Sequence, residues 1–303
     1  MTATAMADPE KARLHHNEPM SRHTSWRVGG PADVWFKPRS RVELVEFLQR
    51  LDPATPVHWV GLGSNLLVRD GGIRGVVIAT AGCLEHLRLT AEGLVEAEAG
   101  VPCTVVARHC ARWAVGPAEF FAGIPGTVGG ALTMNAGAFG GETWQHVVDV
   151  EVVNRRGEVA RRTPAEYQVS YRQVQGPRGE WFLSARFRFD PARPTSMDGV
   201  RALIQQRQAK QPLGMPSCGS VFRNPPGDFA GRLIEASGLK GFRMGGAQVS
   251  EKHANFIINT GKATAADIEA LIHHVQATVA DQHAIKLVPE VHVLGEPSMA
   301  VRQ

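Results

Sequence analysis

Residues 57–68 read VHWVGLGSNLLV, an extended apolar run that passes into the turn Gly61-Leu-Gly63-Ser64-Asn65-Leu66. Residues 121–142 read FAGIPGTVGGALTMNAGAFGGE, a second glycine-dense segment built almost wholly of small side chains. Glycine has no Cβ, so such turns bring bare backbone N–H groups close to a ligand and aim several donors at one anion. The first turn opens like the fingerprint of dinucleotide-binding βαβ folds, but Leu66 stands where its third glycine belongs and no helical periodicity follows. The second, with Gly123, Gly126, Gly129 and Gly130, lacks the Lys-Ser/Thr pair of a P-loop. One turn of this kind reads as an ordinary loop. Two on one chain, the second running through Thr127 to Asn135, Ala136 and Gly137, point to an extended dinucleotide, which suits FAD better than a mononucleotide.

Working outward, Ser40 to Glu43 is a capping-box pattern that opens an amphipathic helix with Leu44, Val45, Phe47, Leu48 and Leu51 on one face. RGVVIAT (74–80) and LVEAEAG (94–100) read as strands, and residues 101–116 as a helix with Pro102 in its first turn and Gly116 at its end. HVVDVEVVNRRGEVA (146–160) and WFLSARFRF (181–189) alternate as paired strands. Residues 190–194, DPARP, read as a linker. Beyond it come a short helix ending in RQAKQP, a helix in FAGRLIEASG, a strand in ANFIIN, and a last helix capped by Thr264 and Asp267 with Ile268, Leu271, Ile272, Val275 and Val279 on one face. Segregated strands and helices make the chain α+β.

The 303 residues are enough for two or three domains. The first residues have no apolar secretory stretch and interleave acidic with basic side chains, so a flexible N-terminal extension over 1–22 and a cytoplasmic location are expected. No apolar run is long enough to cross a bilayer, so no membrane insertion is expected. Four cysteines without a C-x-x-C pair, and histidine pairs of adjacent residues that diverge on a helix, indicate neither disulfides nor a metal site. A net charge of +4 with no basic block gives no sign of nucleic-acid binding, and no obligate protein partner is evident.

Taken together, TSWRVGGPADVWFKP (24–38), VGLGSNLLVRDGG (60–72), FFAGIPGTVGGALTMNAGAFG (120–140), Ser170-Tyr171-Arg172, RQAKQP (207–212), PSCGSVFRNP (216–225), LKGFRMGGAQVSEKHANFIIN (239–259) and VPEVHVLGE (288–296) resemble the UDP-N-acetylenolpyruvoylglucosamine reductase family, also called UDP-N-acetylmuramate dehydrogenases. The resemblance implies an FAD-binding region of the vanillyl-alcohol oxidase type over 23–190, in two subdomains of about 23–82 and 83–190, and a substrate domain over 198–297. It also implies NADPH as hydride donor and a UDP-sugar substrate. Gly61, Gly63, Ser64, Asn65 and Leu66, with Gly126, Thr127, Gly129, Gly130, Asn135, Ala136 and Gly137, match the FAD loops. Arg172, Ser220 and Glu290 match the catalytic positions, and Tyr171, Lys210, Arg223, Asn224 and Gln248 resemble substrate-holding positions, core packing being the alternative for the last five. Only two tyrosines occur, Tyr167 and Tyr171, and the interval from Arg172 to Lys210 is short. That pattern implies the compact subtype, without a tyrosine-bearing lid loop.

The chemistry of the residues agrees with this. Hydride delivered to the methylene of an enolpyruvyl ether pushes negative charge into the neighbouring carboxylate. Arginine offers an always-charged planar fork to such a group. A serine hydroxyl is a weak acid, so Ser220 protonates the adjacent carbon only because that carbon is very basic, with Glu290 supplying or relaying the proton or orienting the intermediate. Each residue alone also has a structural explanation; the set in this order favours catalysis. The alternatives are a sugar or lactone oxidase of the same fold and a non-catalytic UDP-sugar or flavin binder. The absence of histidine from both glycine loops implies non-covalent FAD and speaks against the oxidase, whose relatives often tether the flavin through a histidine there.

Overall fold

The computed structural model describes residues 14–298. The first lobe comprises β1 (Leu14–Pro19), β2 (Pro31–Phe36), α1 (Arg41–Arg50), β3 (Val57–Val60), β4 (Leu66–Val68) and β5 (Ile73–Ala79). Four of its strands form a sheet in the order β1-β2-β5-β3, with β1 antiparallel to β2 and the rest parallel. Helix α1 starts where Ser40 Oγ accepts from Glu43 N at 3.2 Å, and it buries Leu44 and Leu48 against Phe36 and Ile78. The expected flexible extension needs correction over residues 14–22. Leu14 to Pro19 pairs residue by residue with Phe36 to Pro31, and Met20 is fully buried. The sequence LHHNEP has no apolar alternation because an edge strand is held by its backbone ladder rather than by a buried face. Residues 1–13 of that extension lie outside the described residues.

The second lobe holds β6 (Leu87–Leu89), β7 (Leu94–Glu98), α2 (Cys103–Trp113), α3 (Val128–Met134), β8 (Gly137–Ala138), β9 (Gly141–Glu142), β10 (Val147–Asn154), β11 (Val159–Arg162), β12 (Gln168–Ser170), β13 (Gln173–Gln175) and β14 (Glu180–Arg188). Its main sheet is antiparallel in the order β11-β10-β14-β7-β6, covered by α2 and α3. Helix α2 ends before Gly116, at Trp113, because Ala114 takes a left-handed conformation (φ 54°) and its N–H closes onto Cys110 O. The linker expected at 190–194 folds back on this lobe. Asp190 N donates to Gly116 O at 2.6 Å and Ala118 N to Thr195 Oγ1 at 2.7 Å. Helix α4 (Met197–Lys210) therefore sets Val200 in the same core as Phe120, Phe121 and Phe187 rather than in the C-terminal core as expected, and meets the C-terminal region where Lys252 Nζ donates to Gln208 O at 2.6 Å. Among the described residues, 191–196 are turns and irregular chain and 197–200 form the first turn of α4.

The C-terminal region contains α5 (Ala230–Ala236), β15 (Arg243–Met244), β16 (Ala247–Val249), β17 (Ile257–Asn259), α6 (Ala265–His283) and β18 (His292–Leu294). The three strands β15-β16-β17 lie against α6, whose Ile268, Leu271, Ile272, Val275 and Val279 are buried as the periodicity requires. That core also takes in Trp26, Val28 and Leu67 from the first lobe. Trp26 Nε1 donates to Ile257 O at 2.7 Å, and Asn259 Nδ2 donates back to Trp26 O at 2.9 Å. The last strand, β18, leaves the C-terminal core and pairs in parallel with β4, directly after the first glycine turn.

Candidate active site at the seam of the lobes

A cavity of about 750 Å³ runs along the seam and is walled by all three regions. The first glycine turn joins β3 to β4; the second runs into α3, whose first turn holds Gly129 and Gly130. They touch each other: a Cβ on Gly61 would fall 2.5 Å from Thr127 Oγ1, so glycine there lets the turns share one floor. Thr127 caps α3, its Oγ1 accepting from Gly130 N at 3.4 Å. Gly126 and Gly130 differ from Gly61. A Cβ at either would meet nothing nearer than Ser64 Oγ at 3.4 Å or Thr127 Oγ1 at 3.9 Å, so protein packing does not require their bareness. Both line the cavity, and their backbone is open to whatever fills it.

Arg172 stands at the tip of the β12–β13 hairpin in a left-handed conformation, φ 56°, which is unfavourable for a side-chain-bearing residue. Its fork is held from behind, Nη1 donating to Asn135 O at 3.3 Å and Nη2 to Gly137 O at 2.8 Å. Nε lies 3.0 Å from Glu290 Oε1 but off the N–H axis, so the contact is an ion pair rather than an aligned hydrogen bond. Burial raises the Glu290 carboxyl above the usual range, and the charges of Arg172 and Arg223 pull it partly back. Glu290 comes to the seam through its backbone. Its N donates to Val221 O at 2.7 Å, and Asn65 Nδ2 donates to its carbonyl at 3.0 Å. The first of these bonds sets Glu290 beside Ser220, and the second ties it to the first glycine turn. Arg172, Ser220 and Glu290 thus face one cavity although they lie on a hairpin, a loop and the lead into β18.

Most of the remaining expected residues also wall the cavity: Gly61, Gly63, Ser64, Asn65, Leu66, Gly129, Ala136, Gly137, Tyr171 and Asn224. Asn224 has a second task, its Oδ1 accepting from Ala230 N at the start of α5. Four do not line it. Asn135 is buried; its Nδ2 donates to Glu142 Oε2 and Ser170 O and its Oδ1 accepts from Trp144 N, so it positions the Arg172 hairpin. Gln248 is buried in β16 and donates to Gly241 O at 3.2 Å. Lys210 is exposed at the end of α4. Arg223, whose backbone N donates to Val288 O at 2.9 Å, has a shielded Nε with no hydrogen-bond partner.

Two segments of the chain match family models: residues 32–163 match an FAD-binding domain, and residues 211–294 match the C-terminal domain of UDP-N-acetylenolpyruvoylglucosamine reductase. Proteins with that name are 59% identical in Alkalilimnicola ehrlichii (95% of this chain, 96% of the relative) and 53% identical in the Paris strain of Legionella pneumophila (95% and 96%). The chain belongs to the UDP-N-acetylenolpyruvoylglucosamine reductase family. A crystal structure of the Thermus caldophilus reductase superimposes with a TM-score of 0.80 at 32% identity, over 93% of this chain and 99% of that one. The chain is accordingly an α+β oxidoreductase of this family, with an FAD-binding region and the family's C-terminal domain.

Three residues not singled out from the sequence also line the cavity. Arg207, one turn before Lys210 on α4, lines the cavity, donating from Nε to Gln211 Oε1 at 3.1 Å and from Nη1 to Ala122 O at 3.4 Å. The RQAKQP motif had marked this stretch, but only the helix phase shows which cation turns inward. Cys218 is buried beside the first glycine turn, its Sγ donating to Ser64 O at 2.9 Å. Burial pushes its thiol up, so it is a neutral donor. His292 reaches the cavity through the β18–β4 pairing, which no local pattern announces. Among the described residues no cluster of histidine, cysteine or carboxylate groups could hold a metal ion, and no helix is long and apolar enough to cross a membrane.

Proposed function

We propose that this chain reduces UDP-N-acetylglucosamine enolpyruvate to UDP-N-acetylmuramate with electrons from NADPH, through non-covalently bound FAD, as a cytoplasmic step in making peptidoglycan precursors. The observation that carries the reading is the convergence of Arg172, Ser220 and Glu290 on a cavity floored by both glycine turns. The residues present fit FAD. The cavity runs along two touching turns, and Gly126 and Gly130 leave bare backbone on its wall that protein packing does not explain. The backbone of Gly61, Gly63, Ser64, Asn65 and Leu66, with Gly126, Thr127, Gly129 and Gly130, would hold its diphosphate and ribityl portions. When bound, FAD supplies the hydride.

The chain's own residues do the rest. Arg172 offers a charged fork that Asn135 O and Gly137 O hold in place, so no reorganisation is needed as charge grows on the enolpyruvyl carboxylate. Ser220 Oγ gives a proton to the carbon that carries the ether oxygen. Glu290, whose carboxyl burial raises above the usual range, faces the same cavity and re-supplies the proton of Ser220. Tyr171 and Asn224 line the route by which the sugar reaches this corner. The test is the visible spectrum of the purified protein, then NADPH oxidation with and without the enolpyruvyl substrate. Oxidation that depends on that substrate is the expected result. Oxygen consumed with a sugar or lactone in the absence of NADPH would support the oxidase instead, and no turnover with either donor would support the non-catalytic binder.

A further inference from the structure

Trp59, on β3, and Trp181, at the start of β14, stack across the seam between the two lobes. Their ring centroids are 5.2 Å apart and their planes 19° apart. Both line the cavity, yet neither belongs to the glycine turns or to the Arg172–Ser220–Glu290 group. Trp59 lies two residues before Gly61, on the strand that feeds the first turn. Asn65, on the other side of that turn, is bonded to the main chain of Glu290. Along the chain, the turn thus lies between Trp59 and the residue that is bonded to Glu290. Val152 and Phe182 add an apolar wall beside the indoles. Trp59 Nε1 is shielded and has no hydrogen-bond partner, although a buried indole N–H usually finds one. The ring is thus held by its faces rather than by a polar anchor.

A dinucleotide whose reactive ring meets Arg172 and Ser220, and whose diphosphate follows the glycine backbone, needs a place for its second base on the remaining wall. That place is the indole end. Purine rings stack on aromatic faces with an affinity that needs no hydrogen-bond readout. We infer that Trp59 and Trp181 form the platform for the adenine of FAD in this chain. The inference rests on the FAD reading above.

It is tested on apoprotein titrated with FAD, with FMN, which lacks adenine, and with ADP, which lacks the flavin. Trp59→Leu and Trp181→Leu should each weaken FAD binding about tenfold while FMN affinity stays as in the wild type. ADP should quench indole emission of the wild type and leave that of the double Leu variant unchanged. Trp181→Phe, which keeps a stacking face, should retain most of the FAD affinity. FAD and FMN affinities that fall together, or FAD affinity that does not move, would overturn the platform. So would wild-type emission that saturating ADP leaves untouched, whatever the folding of the variants. Wild-type apoprotein that binds neither FAD nor FMN would instead sink the FAD reading, and the platform with it.

Discussion

Ser220 carries the sharpest consequence at the scale of single residues, because its proposed role lies in one half of the reaction. In Ser220→Ala, NADPH should still reduce the flavin, since that step needs no proton at this position. Turnover should fall by about 100-fold to 10,000-fold, the usual contribution of a general acid. Stopped-flow measurement of flavin reduction and then of reoxidation by the enolpyruvyl substrate separates the two; reoxidation at the wild-type rate would assign the proton to another group. Glu290 gives a prediction of a different kind. Its folded-state pKa is raised, chiefly by burial, so the stability it contributes is present below its unfolded pKa and is lost as pH rises through the folded value. Glu290→Gln removes that burden. Its melting temperature should equal or exceed the wild type's at pH 7 and converge with it in acid, while turnover drops. A clear loss of stability at pH 7 would show that the ion pair with Arg172 outweighs the burial.

Among the elements, α6 shows how one helix end can join two regions. Thr264 Oγ1 accepts from Asp267 N at 3.0 Å, the local cap that its sequence announces. The next two donors, Ala265 N and Ala266 N, go to Asp70 Oδ1 and Oδ2 of the first lobe, at 3.0 and 2.9 Å. A carboxylate at a helix N-terminus is favourable both as an acceptor and toward the helix dipole. Asp70→Ala should cost about 1 kcal/mol. Thermal denaturation should register it as a drop of roughly 2–4 °C. Hydrogen exchange should speed up at Ala265 and Ala266 first. An unchanged exchange rate there would mean that water replaces Asp70 without loss.

For the whole molecule, the decisive fact is that the C-terminal core is completed by Trp26, Val28 and Leu67 of the first lobe. Trp26 is fully buried and exchanges two hydrogen bonds with β17. Trp26→Ala should therefore destabilise by about 3–5 kcal/mol. Urea unfolding should show the first lobe and the C-terminal region lost in one transition; a C-terminal region that melts separately at its original midpoint would contradict the shared core. The assembled site also bears on the flavin linkage. Neither glycine turn contains histidine, so acid precipitation should release all the yellow colour. Colour retained in the pellet would point to His292, which the tertiary structure alone brings to the cavity.

Much of this was legible in the residues because the signals are local. The Ser40 and Thr264 caps, the apolar stripe of α6 and the alternation of β10 and β14 depend on periodicity and on hydrogen bonds within a few residues of each other. Helix α3 was not legible, since glycine and alanine give no apolar period and Gly129 is needed for a Cβ-free approach to Ala99. The motifs around residues 172, 220 and 290 could be listed from the chain, but not the 3.0 Å approach of Arg172 to Glu290. Nor could it be seen that Asn135 and Gln248 turn into the protein while Arg207 turns toward the cavity. Sequence by itself determined which backbone conformations and faces were favourable, because those energies are set between near neighbours. The tertiary structure decided which distant segments meet, because β18 on β4, Trp26 in the C-terminal core and the Glu290 backbone on Val221 and Asn65 form only when segments far apart in the chain bury one another.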